Sequence, residues 1–161
     1  MKKETLTPQQ AHQKIKHYCA YQERCHSEVK EKLYNYGLRT SEVEEIISKL
    51  IDEDYLNEER FAIQFAGGRF RLKKWGRVKI RYELKQKRVS DYCIKKAMKE
   101  IDEDDYLKTL QQLFEQKSRD LRSEKNIFIK KRKLQDYLQQ KGYEHDYIRE
   151  LVNKKDTNEA D

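Results

Sequence analysis

At 161 residues and a formal net charge of +7, the chain has the size of one domain or a short repeat array, with an excess charge that suits a polyanionic partner. Charged residues make up 40% and hydrophobic residues 36%, so the core must be thin, and five Gly with one Pro favour helices over a sandwich or barrel. No apolar run approaches the roughly 18 residues of a membrane span, and Met1-Lys2-Lys3-Glu4 lacks a signal-peptide core, so a cytoplasmic protein is expected.

Thr7-Pro8-Gln9-Gln10 predicts a helix start, with Thr7 as N-cap, Pro8 at the first helical position and Gln10 completing a capping box. That helix would bury Ala11, Ile15, Tyr18 and Cys19. After a turn at Arg24-Cys25-His26, Ser27 is expected to cap a second helix with Val29 and Leu33 inward. Gly37 ends it in the left-handed conformation. Thr40 or Ser41 would cap a third helix with Val43, Ile46, Ile47 and Leu50 on one face. Farther on, Phe61, Ala62, Phe65 and Ala66 share a face at helical spacing.

This pattern recurs. Leu33 corresponds to Leu84 and Leu138, steps of 51 and 54 residues. Val43, Ile46 and Ile47 correspond to Ile94, Ala97 and Met98, then to Ile148, Leu151 and Val152. Ile51-Asp52-Glu53-Asp54-Tyr55-Leu56 returns, with one acid added, as Ile101-Asp102-Glu103-Asp104-Asp105-Tyr106-Leu107, and Gly142-Tyr143 repeats Gly37-Leu38. The expectation is an all-α, elongated array of three tandem three-helix repeats, 7–56, 57–103 and 104–154, with a disordered tail over 155–161.

The strongest functional signal lies in the second repeat. Between Arg69 and Arg88 there are ten basic residues and one acid, Glu83, around the only tryptophan, Trp75. Such one-signed density repels itself unless an anion is near. Arg69, Arg71, Lys73, Lys74, Arg77, Lys79, Arg81, Lys85 and Arg88 are the candidate nucleic-acid contacts. If Trp75 marks a helix start, Arg77, Arg81, Lys85 and Arg88 share a face while Ile80 and Leu84 turn inward. Trp75 itself either packs between helices or stacks on a base. In the third repeat Lys130, Lys131 and Arg132 extend the candidate track. Arg88 stands where the other repeats carry glycine, at a cost on the order of 1 kcal/mol if the left-handed turn is kept.

Little else suggests chemistry. Cys19, Cys25 and Cys93 are odd in number and irregular in spacing, against a disulfide framework. His12, His17, Cys19, Cys25 and His26 lack metal-ligand spacing, and Gly67-Gly68 alone is no phosphate loop. No catalytic centre and no cofactor are expected. Three-helix units also suggest a helix-turn-helix-like regulator of duplex DNA.

The sequence resembles the RecX family of bacterial recombinase regulators. The similarity is carried by Arg24-Cys25-His26-Ser27-Glu28-Val29-Lys30-Glu31-Lys32-Leu33 with Gly37-Leu38. It continues in Leu50-Ile51-Asp52-Glu53-Asp54-Tyr55-Leu56-Asn57-Glu58-Glu59-Arg60-Phe61-Ala62 through Arg69, and in Trp75-Gly76-Arg77-Val78-Lys79-Ile80 to Leu84. It departs at Arg88-Val89, where a glycine-containing turn is usual, and in the density of the basic run. The resemblance implies a non-catalytic modulator of the RecA recombinase in recombination and DNA repair. It also implies an elongated fold lying in the groove of the RecA–single-stranded-DNA filament and damping ATP hydrolysis and strand exchange. The implied partners are that filament and single-stranded DNA, with duplex DNA as an alternative, and the protein is expected to act as a monomer away from membranes.

Overall fold

The computed structural model describes residues 5–159, and for 155–159 the backbone alone. Among the described residues there are nine helices and no strand: α1 Pro8–Tyr21, α2 His26–Asn35, α3 Thr40–Asp52, α4 Glu58–Lys73, α5 Arg77–Gln86, α6 Asp91–Lys99, α7 Glu103–Asp120, α8 Ile127–Lys141 and α9 His145–Glu159. The all-α repeat class is therefore observed. The tail expected over 155–161 lies outside the described residues, apart from the helical backbone through Glu159. No helix among the described residues is long and apolar enough to cross a membrane. Contacts group the chain into two compact units, Met1–Phe65 with Leu84–Ala97, and Ala66–Glu83 with Met98–Asp161.

In the first unit, α1, α2 and α3 pack on one another around Ala11, Ile15, Val29, Leu33, Val43 and Leu50. The capping box at Thr7 forms as the sequence predicts, with Gln10 N–H donating to Thr7 Oγ1 at 3.2 Å and Thr7 N–H to Gln10 Oε1 at 3.1 Å. Two other caps differ from expectation. Helix α2 starts one residue before Ser27, and Glu28 accepts from Cys25 N–H at 3.2 Å. Ser27 instead donates its hydroxyl to the carbonyl of Lys87 at 2.6 Å. Neither Thr40 nor Ser41 caps α3: the N-cap is Arg39, whose N–H is taken by Glu42 at 3.0 Å. In both places the glutamate at the third helical position reaches back to the N–H of the N-cap residue, the reciprocal half of a capping box. Gly37 adopts φ +84, as expected. Phe61 and Ala62 are buried and Phe65 half-buried. All three cysteines are free thiols, and burial pushes Cys19 up to about 11.

In the second unit, α7 packs on α8 and α8 on α9 around Tyr106, Leu110, Leu134, Leu138 and Ile148. Asp102 caps α7 by accepting from Asp105 N–H at 3.0 Å, and Glu103, Asp104 and Asp105 occupy its first turn, where the helix dipole favours negative charge. The α4–α5 turn is stitched to the end of α8 through backbone groups. Gly76 N–H donates to Lys141 O at 2.8 Å, and Val78 N–H to Gly142 O at 2.9 Å. Tyr143 OH reaches Lys74 O at 2.9 Å. A Cβ on Gly76 would sit 2.3 Å from Gly142 O, and Gly142 itself lies at φ +95, so both positions require glycine.

Candidate nucleic-acid interface

The candidate site is built where α4 ends and α5 begins. Lys74 takes φ +58 and closes α4, its N–H on Phe70 O at 2.9 Å. Trp75 N–H then folds back to Arg69 O at 3.3 Å. This turn sets the half-buried Trp75 ring among three cations, with Lys79 Nζ 4.6 Å from the ring centroid and Arg69 and Lys73 each at 5.4 Å. Trp75 thus combines a structural position with a cationic surround, in which ring and ammonium attract one another. Leu72, Val78 and Tyr82 stand exposed in the same segment, Leu72 at 85%.

Arg71 and Lys74, with Lys108, line a cavity of about 260 Å³ whose one carboxylate is Asp105. Gly67 matters to this arrangement. The Arg71 guanidinium lies back over it, and a Cβ at Gly67 would come within 2.7 Å of Arg71 Nη1. Arg81 is exposed on α5.

Arg77 corrects the expectation. It does not face outward with Arg81. Its guanidinium lies 3.8 Å over the Tyr106 ring, bonds Glu144 at 3.1 Å and pairs with Glu103. Its backbone N–H donates to Tyr106 OH at 3.0 Å, and that hydroxyl donates to Glu144. Tyr147 OH donates to Glu103 at 3.0 Å. The hydrogen bond from Arg77 holds the Glu103 carboxyl below its ordinary value. Burial and the bond to Glu144 push the Tyr106 phenol well above its usual range. Arg77 is a brace, neutralised by two carboxylates, with little left to offer a phosphate.

Lys85 and Arg88 belong to the first unit. Lys85 is exposed, and Arg88 keeps the left-handed turn at φ +62, beside a cavity of about 540 Å³ that His26, Lys30, Glu31 and Glu58 also line. In the third repeat Lys130 faces a different groove of the second unit, Arg132 is exposed and Lys131 half-buried. Within the second unit the expected cations fall into separate groups. Arg69, Lys73 and Lys79 gather on Trp75, and Arg71 and Lys74 gather on a cavity with Lys108. Lys108 escapes sequence reasoning because its partners lie a helix away, and its one signal is an isolated cation after an acidic run.

The comparisons agree with this architecture. The family model described as RecX, second three-helix domain, matches residues 57–98, and that of the third three-helix domain matches 103–152, together more than half of the chain. A relative named regulatory protein RecX from Bacillus cytotoxicus is 31% identical over 144 residues, covering 86% of this chain and 53% of the relative. A protein of the same name from Bacillus thuringiensis is 28% identical over the same shares. The chain thus spans about half the length of these relatives. Among solved structures, RecX from Lactobacillus salivarius superimposes with a TM-score of 0.83 at 23% identity, covering 93% of this chain and 97% of that one. A second structure, of a regulatory protein RecX, gives 0.80 at 21% identity, covering 91% of this chain and 71% of the other. With two three-helix domains matched in order and the helical fold shared, the chain belongs to the RecX family of regulatory proteins.

Proposed function

We propose that this protein binds the RecA–single-stranded-DNA filament and modulates its recombinase and ATPase activity, acting as a cytoplasmic, non-catalytic regulator. The observation that carries the proposal is the Trp75 ring set among Lys79, Arg69 and Lys73, in a segment where Arg71, Lys73, Lys74 and Arg81 are exposed. An aromatic ring with cations round it suits single-stranded nucleic acid, because bases stack on the ring while the cations meet phosphates. The family supports the choice of partner.

The test is a titration of the protein into RecA on single-stranded DNA with ATP. Hydrolysis should fall in a saturable way, and the charge reversals K73E and K79E together should weaken the effect by roughly tenfold or more while flattening its salt dependence by about 0.7 log units per lost phosphate contact. Unchanged hydrolysis at micromolar protein would refute the proposal. Duplex DNA of unrelated sequences serves as the second arm. A preference of about a thousandfold for one duplex would instead favour a helix-turn-helix-like regulator.

A further inference from the structure

The second unit holds another basic groove, separate from the Trp75 cluster. Phe114, Ser118 and Arg119 lie toward the C-terminal end of α7, and Arg122 follows in the turn just after it. With Lys130 of α8 and Leu151 and Lys154 of α9 they wall a groove of about 480 Å³. Its floor is apolar, Phe114 and Leu151, and its rim carries four cations against one carboxylate, Glu115. That carboxylate already accepts from Gln111 at 3.0 Å. Arg119 donates to the Gln116 amide at 2.9 Å and Arg122 to Arg119 O at 3.2 Å, so among the described residues neither guanidinium is neutralised. Lys154 pairs with Glu150 at 3.5 Å, where both are exposed.

Ser118 is the telling residue. Its side chain lines the groove at 7% exposure, and its Oγ is buried with no hydrogen-bond partner. Buried hydroxyls are almost always bonded, and an orphan one marks a place where something else supplies the partner. Directly before Lys130, Ile127, Phe128 and Ile129 open α8 and are all exposed, Phe128 at 79%. A run of three exposed apolar residues is the kind of patch that marks an interaction surface. Nucleic acid fits this place poorly, since the exposed aliphatic side chains of Ile127 and Ile129 have no complement in a phosphodiester chain.

We propose that this groove docks a short acidic protein segment that carries a bulky apolar side chain. The apolar side chain lies against Phe114 and Leu151, and the carboxylates meet Arg119, Arg122, Lys130 and Lys154. A polar backbone atom of the segment bonds Ser118 Oγ, and flanking apolar residues cover Ile127 to Ile129. The site does not depend on Trp75 contacting nucleic acid.

The test uses the full chain labelled with ¹⁵N, and three probes of equal length: a peptide of Asp and Glu with a central Phe-Leu pair, the same peptide with Ala-Ala at the centre, and a thymidine oligonucleotide. The Phe-Leu peptide should bind and shift the amides of Ser118, Arg119 and Lys130, with the Ala-Ala peptide weaker by roughly tenfold. The pair R119E/R122E should lose at least about tenfold in affinity. Ser118→Ala should lose roughly two- to tenfold, the worth of one hydrogen bond, without a lower melting temperature, because it removes an orphan hydroxyl. Equal binding of the two peptides, binding unchanged in R119E/R122E or in Ser118→Ala, the same shifts from the oligonucleotide alone, or no peptide binding would each overturn the proposal.

Discussion

Arg88 and Ser27 show how a single departure from the repeat is accommodated. Arg88 occupies φ +62, where an L residue is disfavoured by about 1–2 kcal/mol. The turn is nevertheless held, with Arg88 N–H on Lys85 O at 2.9 Å, Val89 N–H on Leu84 O at 3.1 Å, and the Ser27 hydroxyl on Lys87 O. Arg88→Gly should therefore stabilise the protein by up to about 1 kcal/mol, while Ser27→Ala should cost about 1 kcal/mol by leaving the part-buried Lys87 carbonyl with only the long contact from the Cys25 thiol at 3.9 Å. Both are read from urea unfolding midpoints. Gly76→Ala should cost more, about 2–3 kcal/mol, since the added carbon meets the Gly142 backbone, which cannot swing aside as a side chain would. The sequence displays Gly37 and Gly142 through their spacing, yet gives no sign of Gly76, whose constraint comes from a segment more than sixty residues away. Arg77 is illegible for the same reason. Its spacing matches Arg81, but its direction is set by Glu103 and Glu144, 26 and 67 residues on.

At the scale of elements, one repeated acidic motif does two different things. Over Ile51–Leu56 it ends a helix: Glu53 is the C-cap of α3 and Asp54 takes φ +62. Acids at a helix C-terminus oppose the dipole, and here cations offset them, Lys16 with Glu53 at 2.8 Å and Arg60 with Asp54 at 3.0 Å. Over Ile101–Leu107 the same letters begin a helix, with Asp102 as N-cap and three acids in the first turn. The match of letters is visible in the sequence, whereas the reversal of role depends on where α6 stops. Asp102→Ala should accordingly destabilise by about 1 kcal/mol. Glu103 adds a pH dependence. Arg77 holds its carboxyl below the ordinary 4.5, so its contribution is present above that pH and is lost as pH falls through the lowered value. Glu103→Gln should be less stable than the parent at neutral pH, modestly because the carboxylate is half exposed. The difference should vanish in acid unfolding curves.

For the whole molecule, the repeat is read best in its buried positions. Leu33, Leu84 and Leu138 are all fully buried, as are Val43, Ile94 and Ile148 to within a few per cent. Hydrophobic periodicity thus reveals helix number and order, because burial on one face leaves a local signature. We propose repeat boundaries near 57 and 104, in keeping with the two family domains matched at 57–98 and 103–152. The function is less legible than the fold. Charge density points to a region of the chain, but which of its cations face outward is decided by tertiary partners. Arg77 is withdrawn from the surface, and Lys108 joins it. What survives is a ring-and-cation cluster at Trp75, and this can be interrogated directly because the chain has one tryptophan. Intrinsic fluorescence should be followed while a thymidine oligonucleotide is added, with anisotropy of the labelled oligonucleotide reporting binding in parallel. Trp75 emission should be quenched saturably, in step with the anisotropy, and both changes should weaken together as salt rises. Binding that leaves the tryptophan emission unchanged, or no binding at low salt, would contradict it.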